Sequence, residues 1–159
     1  MSVSAALSAI ATSLNGSKVS PSDFQSLIDS LPPTLVPDWL AMIMQDHPLS
    51  GVSFSLSEDD DESGLGAELM WYSPAQMMEE ALQYYPGMAV AKLGYLPVAT
   101  CLIGSGDPYF LRLKGDGADD PALVRVPHDF VGEDDSYPED KIEIVSDSLS
   151  RFFRLAVID

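Results

Sequence analysis

Two histidines are the residues of this chain whose side chains best suit acid–base chemistry. His128 directly precedes Asp129, and an imidazole beside a carboxylate could act as a general base. Because no nucleophile motif such as G-x-S-x-G accompanies this pair, a structural hydrogen bond at a strand end is the simpler interpretation. His47 precedes Pro48 at a predicted helix end, where a capping role is favoured. We therefore predict no catalytic residue and no enzyme activity.

The sequence also contains fragments of metal-binding and nucleotide-binding motifs, and each is incomplete. Four residues fit the first positions of a calcium-binding EF-hand loop: Asp59, Asp61, Ser63 and Gly64. Met70 stands where such a loop requires a glutamate, and one cysteine with two distant histidines lacks the spacing of zinc ligands. The glycines within residues 104–107 are not followed by the Lys-Ser or Lys-Thr pair of a phosphate-binding loop. We therefore predict no metal and no cofactor.

Hydrophobic spacing predicts helices at both ends of the chain and strands between them. Apolar residues at i, i+3 and i+4 indicate three short helices within residues 1–48 and a last helix over 147–157. Ser73 and Gln76 form a capping box that begins a further helix. Strands are predicted at 52–56, 67–72, 95–103, 109–114, 123–126 and 142–145. We therefore expect one α+β domain over residues 1–159. A helical part (1–48) precedes a part (51–157) that contains a largely antiparallel, mixed sheet, and helices cover one side of this sheet.

The sheet is predicted to be centred on a hairpin at residues 94–114. Its first strand is almost continuously apolar and is expected to be buried, whereas the second alternates Leu111 with Arg112 and is expected to be half-exposed. The residues just before the hairpin are interpreted as a short linker. The acidic run 58–62 is expected to form a solvated loop outside the core.

The charge balance restricts the possible partners. The chain has 8 Lys+Arg against 25 Asp+Glu, a formal net charge of −17. Such a surface repels phosphate backbones and anionic lipid, so we expect neither nucleic-acid nor membrane binding. It would attract a basic protein; alternatively, the acidity serves only solubility. The sequence shows no signal peptide and no membrane-spanning run, and its single cysteine is Cys101. We therefore expect a soluble, cytoplasmic protein. The sequence leaves the oligomeric state open.

Five short motifs follow one another in an order that spans most of the chain. They are Leu-Pro-Pro at 31–33 with Trp-Leu at 39–40; Trp-Tyr-Ser-Pro at 71–74 with Tyr-Tyr-Pro at 84–86; the hairpin segment 103–111; Asp-Asp-Pro at 119–121 with His-Asp at 128–129; and the segment 146–153. Together they resemble the SUKH superfamily, which contains the yeast Smi/Knr cell-wall synthesis regulators and many bacterial immunity proteins. The chain departs from the family pattern in having fewer glycines in the hairpin turn and in having Arg151 where an acidic residue is more usual.

The resemblance implies a non-enzymatic protein-binding domain, because the family shares no catalytic residues. Many bacterial members neutralise a toxin, often a nuclease, and nucleases tend to be basic because they bind phosphates. We therefore predict an immunity protein for a basic, nuclease-type toxin; the alternative is a regulatory or scaffolding module of the Smi/Knr type without a toxin partner. The candidate partner-binding residues are two acidic runs and three aromatic residues: Glu58, Asp59, Asp60, Asp61, Glu62, Glu133, Asp134, Asp135, Trp71, Tyr72 and Tyr137.

Overall fold

A computed structural model of the protein describes residues 2–115 and 117–159. The α-helices are α1 (Val3–Ala9), α2 (Pro21–Ser30), α3 (Asp38–Asp46), α4 (Pro74–Leu82), α5 (Gly87–Ala91) and α6 (Leu149–Leu155). The strands are β1 (Ser53–Leu56), β2 (Ala67–Trp71), β3 (Tyr95–Cys101), β4 (Tyr109–Arg112), β5 (Leu123–Arg125), β6 (Glu143–Ser146) and β7 (Val157–Ile158).

All seven strands belong to one sheet with the order β6-β5-β4-β3-β2-β1-β7. Every neighbouring pair in it is antiparallel. The hairpin β3–β4 therefore lies near the centre of the sheet, as its apolar sequence predicts. The predicted α+β class with a largely antiparallel sheet is confirmed.

The helices begin where the sequence places good capping residues. The Ser20 side chain accepts a hydrogen bond from the Asp23 N–H at the start of α2. At α4, Ser73 accepts from the Gln76 N–H, and the Gln76 side chain accepts from the Ser73 N–H at 2.8 Å, which confirms the capping box. His47 is the residue that ends α3. None of the described helices is both long enough and apolar enough to cross a membrane.

The main core lies on the inner face of the sheet, which packs against α1, α2, α3, α4 and α6. An aromatic group occupies its middle: Phe54, Trp71, Phe152 and Phe153, with ring centroids 5.5–5.8 Å apart. These side chains come from two neighbouring strands and the last helix. Their edge and tilted contacts are the arrangements that aromatic pairs prefer.

A second, smaller core lies on the outer face of the sheet. Phe110 of β4 and Val124 of β5 are fully buried there against Val90 of α5, and Tyr137 covers them from the loop that follows β5. The expectation that β4 is half-exposed is therefore wrong, because Phe110 alternates with inner-face residues and is itself buried. The predicted linker forms α5, and helices cover part of both faces rather than one.

The chain departs from prediction again after the last helix. The last helix was expected to run to residue 157, but Ala156 is already extended, and Val157 and Ile158 form β7 against β1. The Asp159 N–H then donates to the Ser53 carbonyl at 3.0 Å. The edge of β1 offers backbone hydrogen-bond partners that a continued helix would leave unpaired. The sequence does not predict β7, because a strand of two residues is too short to show an alternating pattern.

Candidate functional site

The acidic loop between β1 and β2 (residues 57–66) is anchored by a buried charge. Asp61 is only 3% exposed, and its Oδ2 lies 3.3 Å from Nη2 of Arg125 in β5. Its Oδ1 accepts hydrogen bonds from the backbone and the hydroxyl of Ser63. The expectation that the whole run 58–62 is solvated is therefore wrong for Asp61, because this carboxylate neutralises a cation inside the fold.

Arg125 connects the acidic loop to the sheet. Its guanidinium donates to the Gly66 carbonyl at 2.8 Å, the Tyr109 hydroxyl at 3.2 Å and the Glu143 carboxylate at 3.2 Å. Burial acts to lower the pKa of Arg125, but the Tyr109 oxygen and the Glu143 and Asp61 carboxylates outweigh burial and raise it. The guanidinium thus remains charged and holds the loop against the sheet.

Sequence reasoning missed Arg125, although a signal for it existed. Arg125 is two residues after Leu123, and alternate residues of a strand share one face. Since Leu123 lies in the main core, a cation at position 125 requires an internal carboxylate. The sequence does not reveal that Asp61 provides it.

The other residues of the acidic loop are held by backbone contacts and keep their side chains outside the core. The Glu62 N–H donates to the Val145 carbonyl in β6 at 2.9 Å. Arg151 of α6 donates to the Asp60 carbonyl at 2.9 Å. Glu58, Asp59 and Glu62 are exposed, and Asp60 is half-buried.

Half of the outer face of the sheet is uncovered. Whereas α5 and the loop after β5 cover the β3–β5 half, the half formed by β7, β1, β2 and the end of β3 faces outward without a covering element in the described chain. We call this surface the open face. Its residues are Ser53, Ser55, Glu68, Met70, Thr100, Leu102 and Val157, which alternate with inner-face residues.

A groove of two adjoining cavities borders the open face. The first, of about 390 Å³, is lined by residues that include Glu58, Glu68 and Val157. The second, of about 340 Å³, is lined by residues that include Asp107, Phe130 and Glu143. Both cavities are also lined by Leu65, Gly66 and Ile103. Leu65 is 60% exposed and Ile103 is 41% exposed, so the residues that the two cavities share include two exposed apolar side chains, and carboxylates line both cavities.

The predicted histidine pair lies near the second cavity, but its main partner is a residue that the sequence did not indicate. His128 Nδ1 is 2.5 Å from Asp107 Oδ1, and the backbone N–H of His128 donates to the same oxygen. Asp129 is 3.2 Å from the other ring nitrogen. The hydrogen bond from the His128 ring to the Asp107 carboxylate raises the pKa of His128. Because both ring nitrogens of His128 already have a carboxylate partner, this arrangement suits a structural contact better than a general base.

The second acidic run lies in the loop after β5 and is exposed. Asp134 accepts hydrogen bonds from Ser136, which lower the pKa of its carboxyl. Asp135 accepts a hydrogen bond from the Tyr85 hydroxyl at 2.6 Å. Glu133 is exposed beside them. This run therefore offers negative charge at the surface, and part of it is used in local hydrogen bonds.

The three aromatic candidates are buried in this fold. Trp71 belongs to the main core, and Tyr137 covers the second core while donating to the Pro127 carbonyl. Burial and the nearby Glu80 carboxyl raise the pKa of Tyr72, which is also buried, to about 12. Their side chains stabilise the fold, so we exclude them from the candidate surface. Exposed apolar residues that line the first cavity are Leu65, Ile103 and Val157.

Comparisons of the chain with protein-family models, with curated proteins and with solved structures find no match in any of the three. Within residues 2–115 and 117–159, no three His, Cys, Asp or Glu side chains come together as a metal site. The groove and its carboxylates form the candidate surface.

Proposed function

We propose that this chain is a non-enzymatic protein-binding domain, namely a bacterial immunity protein that neutralises a basic, nuclease-type toxin in the cytoplasm. The observation that supports it best is the exposed pair Leu65 and Ile103, which lies between carboxylates at the border of an uncovered sheet face. The motif resemblance to the SUKH superfamily supports it independently. The first cavity is lined by these apolar side chains and by the exposed carboxylates of Glu58 and Glu68.

The apolar part of this surface suits an anchor for a partner. The side chains of Leu65 and Ile103 are so exposed that they contribute little to the stability of the fold. Contiguous apolar surface with a polar border is typical of protein interfaces. Leu65 is also held in position, because the neighbouring Gly66 carbonyl is bound by Arg125. A residue whose backbone is already held in place loses less conformational entropy on binding than a residue in a mobile loop.

The acidic part of this surface suits a basic partner. Glu58 and Glu68 are exposed at the first cavity, and the whole chain has a net charge of −17. Opposite charges accelerate encounter and fix orientation, and both effects weaken as salt rises. A nuclease has a cationic surface for phosphates, so an acidic protein bound there would block its substrate.

The alternative is a regulatory or scaffolding module of the Smi/Knr type. It is favoured by the fact that several carboxylates of this chain have partners within the fold: Asp61 with Arg125, Asp135 with Tyr85, and Asp120 with Ser150. Such contacts stabilise the domain whatever it binds. On this alternative, the exposed carboxylates of the acidic loops are solvated and need no basic toxin.

The deciding experiment uses the toxin domain encoded beside this chain in the genome. We expect co-expression to rescue growth, and we expect titration calorimetry to show binding that weakens as NaCl rises from 50 to 300 mM, by about tenfold or more. Ile103→Ser should weaken binding, whereas Ile28→Ser, an equally exposed isoleucine on α2, should not. If no basic toxin is encoded there, or if it neither binds nor is neutralised, the immunity function is wrong and the regulatory alternative is favoured.

A further inference from the structure

We infer that Glu68 is the residue of the open face that receives a lysine or arginine side chain of the partner, and that the apolar residues beside it pack against the hydrocarbon stem of that side chain. This inference rests on the proposed function and adds which residue recognises the basic partner. Glu68 is exposed on β2 and also lines the first cavity.

Strand pairing places Glu68 inside the open face and not at its border. Ser55 of β1 lies directly opposite Glu68, and Val157 of β7 lies directly opposite Ser55. On the other side, the Leu102 N–H donates to the Glu68 carbonyl at 2.8 Å, which continues the pairing of β2 with β3. Because neighbouring strands are about 4.8 Å apart, these four residues form one row across the sheet that is about 14 Å long. We call it the Glu68 row.

The Glu68 row has apolar side chains on either side of a single carboxylate. Val157 is 62% exposed and Leu102 is 47% exposed. Met70, two residues along β2 from Glu68, is half-buried on the same face. A long basic side chain packs its methylene groups along such apolar surface and keeps its charged end at a carboxylate. A lysine or arginine therefore fits this row.

The fold does not use the charge of Glu68. A carboxylate in a sheet is stabilised by an opposite charge directly across from it, but the neighbours of Glu68 in its row, Ser55 and Leu102, are uncharged. In the described part of the chain, Glu68 takes part in no ion pair. Glu143 at the second cavity differs, because it is already paired with Arg125. The charge of Glu68 thus remains for a partner.

Charge complementarity selects the occupant of the open face. A second copy of the chain would bring another net charge of −17 and a second Glu68 to the same face. Like charges brought together at an interface are unfavourable, whereas a basic partner is attracted and its cation is oriented. The same carboxylate therefore disfavours a copy of this chain and favours a basic protein.

The inference is tested with the toxin domain encoded beside this chain, by surface plasmon resonance. Glu68→Gln should weaken binding about tenfold or more, mainly through faster dissociation, because a charge pair buried in the complex slows dissociation. Glu79→Gln, an exposed glutamate on α4, removes the same charge and should change affinity by less than about twofold. Leu102→Ser should weaken binding about fivefold or more, and Leu82→Ser, a 48%-exposed leucine on α4, should not. Thermal unfolding verifies that each variant is folded.

A charge exchange identifies the partner's side of the contact. Glu68→Lys should weaken binding further than Glu68→Gln, because it sets two cations against each other. Replacing one lysine or arginine of the toxin domain by glutamate should then restore binding to Glu68→Lys by about tenfold or more. The same replacement should not improve binding to Glu79→Lys.

The inference is overturned if the toxin domain binds Glu68→Gln with unchanged affinity, or if no basic residue of that domain restores binding to Glu68→Lys. A loss of affinity that lies only in the association rate also overturns it, since Glu68 would then steer the partner without contacting it. In each of these cases a toxin domain that is bound and neutralised by the unaltered chain leaves the proposed function in place. A toxin domain that neither binds nor is neutralised disproves both.

Discussion

Asp61 and Arg125 form an ion pair of 3.3 Å inside the fold, although 64 positions separate them in the chain. The pair fastens the loop between β1 and β2 to β5. Neither β1 nor β2 is a neighbour of β5 in the sheet. The same loop presents Glu58 and Leu65 to the groove. One internal charge contact therefore sets the position of an external surface.

Asp61→Asn should destabilise the protein by about 3 kcal/mol, because it leaves the Arg125 cation buried with less compensating charge. Asparagine keeps the oxygen that Ser63 uses but turns a donor toward the guanidinium. Urea unfolding followed by circular dichroism measures the change. Glu62→Gln, one residue further along and exposed, removes the same charge and should alter stability by less than about 0.5 kcal/mol. Equal effects of the two substitutions would contradict the structural role of Asp61.

Glu80 should make the protein less stable as pH rises from about 4.5 to 7. Burial raises the pKa of its carboxyl from 4.5 to about 7, while the hydrogen bond from the Gly87 N–H acts in the opposite direction. The folded chain therefore binds more protons than the unfolded chain within this interval, and stability is lost as the carboxyl ionises. Glu80→Gln should flatten this part of the stability profile, measured as urea midpoints between pH 4.5 and 8. The neighbouring, exposed Glu79→Gln should leave the profile's slope as it is; a slope retained in Glu80→Gln would disprove the assignment.

His128 should titrate above the ordinary histidine pKa of 6.5, because it is hydrogen-bonded to Asp107. Its stabilising contribution is complete below pH 6.5 and is lost as pH rises through the folded-state pKa. Asp107→Asn should lower the pKa of His128, and the ring proton signals in a pH titration by NMR measure it. An unchanged His128 titration in Asp107→Asn would show that another group sets its pKa.

Gly87→Ala should destabilise the protein by about 3 kcal/mol. A Cβ atom at position 87 would lie 1.8 Å from the Glu80 carbonyl oxygen, so α4 and α5 would have to separate. Gly104→Ala is the matched control, since a Cβ there meets nothing within 4 Å. Thermal unfolding should show a large decrease for the first variant and little change for the second. Comparable midpoints for the two would disprove the close approach of the helices.

The sequence predicted those elements that depend on local chemistry. The capping box at Ser73, the cap at Ser20 and the alternation that defines β1 each involve residues within a few positions of one another, so a single chain displays them. The central hairpin was predicted for the same reason. The second strand was expected to be half-exposed because Arg112 and Phe110 share one face and Arg112 is charged. Arg112 lies at the end of the strand and is exposed, whereas Phe110 on the same face is buried.

The candidate site depends on contacts between distant positions and was predicted only in part. The acidic run 58–62 was identified by composition, and Glu58 does line the groove. The burial of Asp61, however, depends on Arg125, and the exposure of Ile103 depends on β3 ending at Cys101. Trp71 was selected as an anchor for its size, but large aromatic side chains fill cores as readily as interfaces. The burial of Asp61, the exposure of Ile103 and the burial of Trp71 cannot be derived from local spacing.

The open face has a consequence for the colloidal behaviour of the protein. A bare half-sheet can pack against a copy of itself, and at neutral pH the net charge of −17 keeps such copies apart. This protection disappears near the isoelectric point of about 4.1, and it weakens in 1 M salt, where the Debye length falls to about 3 Å. Light scattering should therefore show a solubility minimum near pH 4, and an added charge on the open face, such as Ser55→Lys, should reduce the association there.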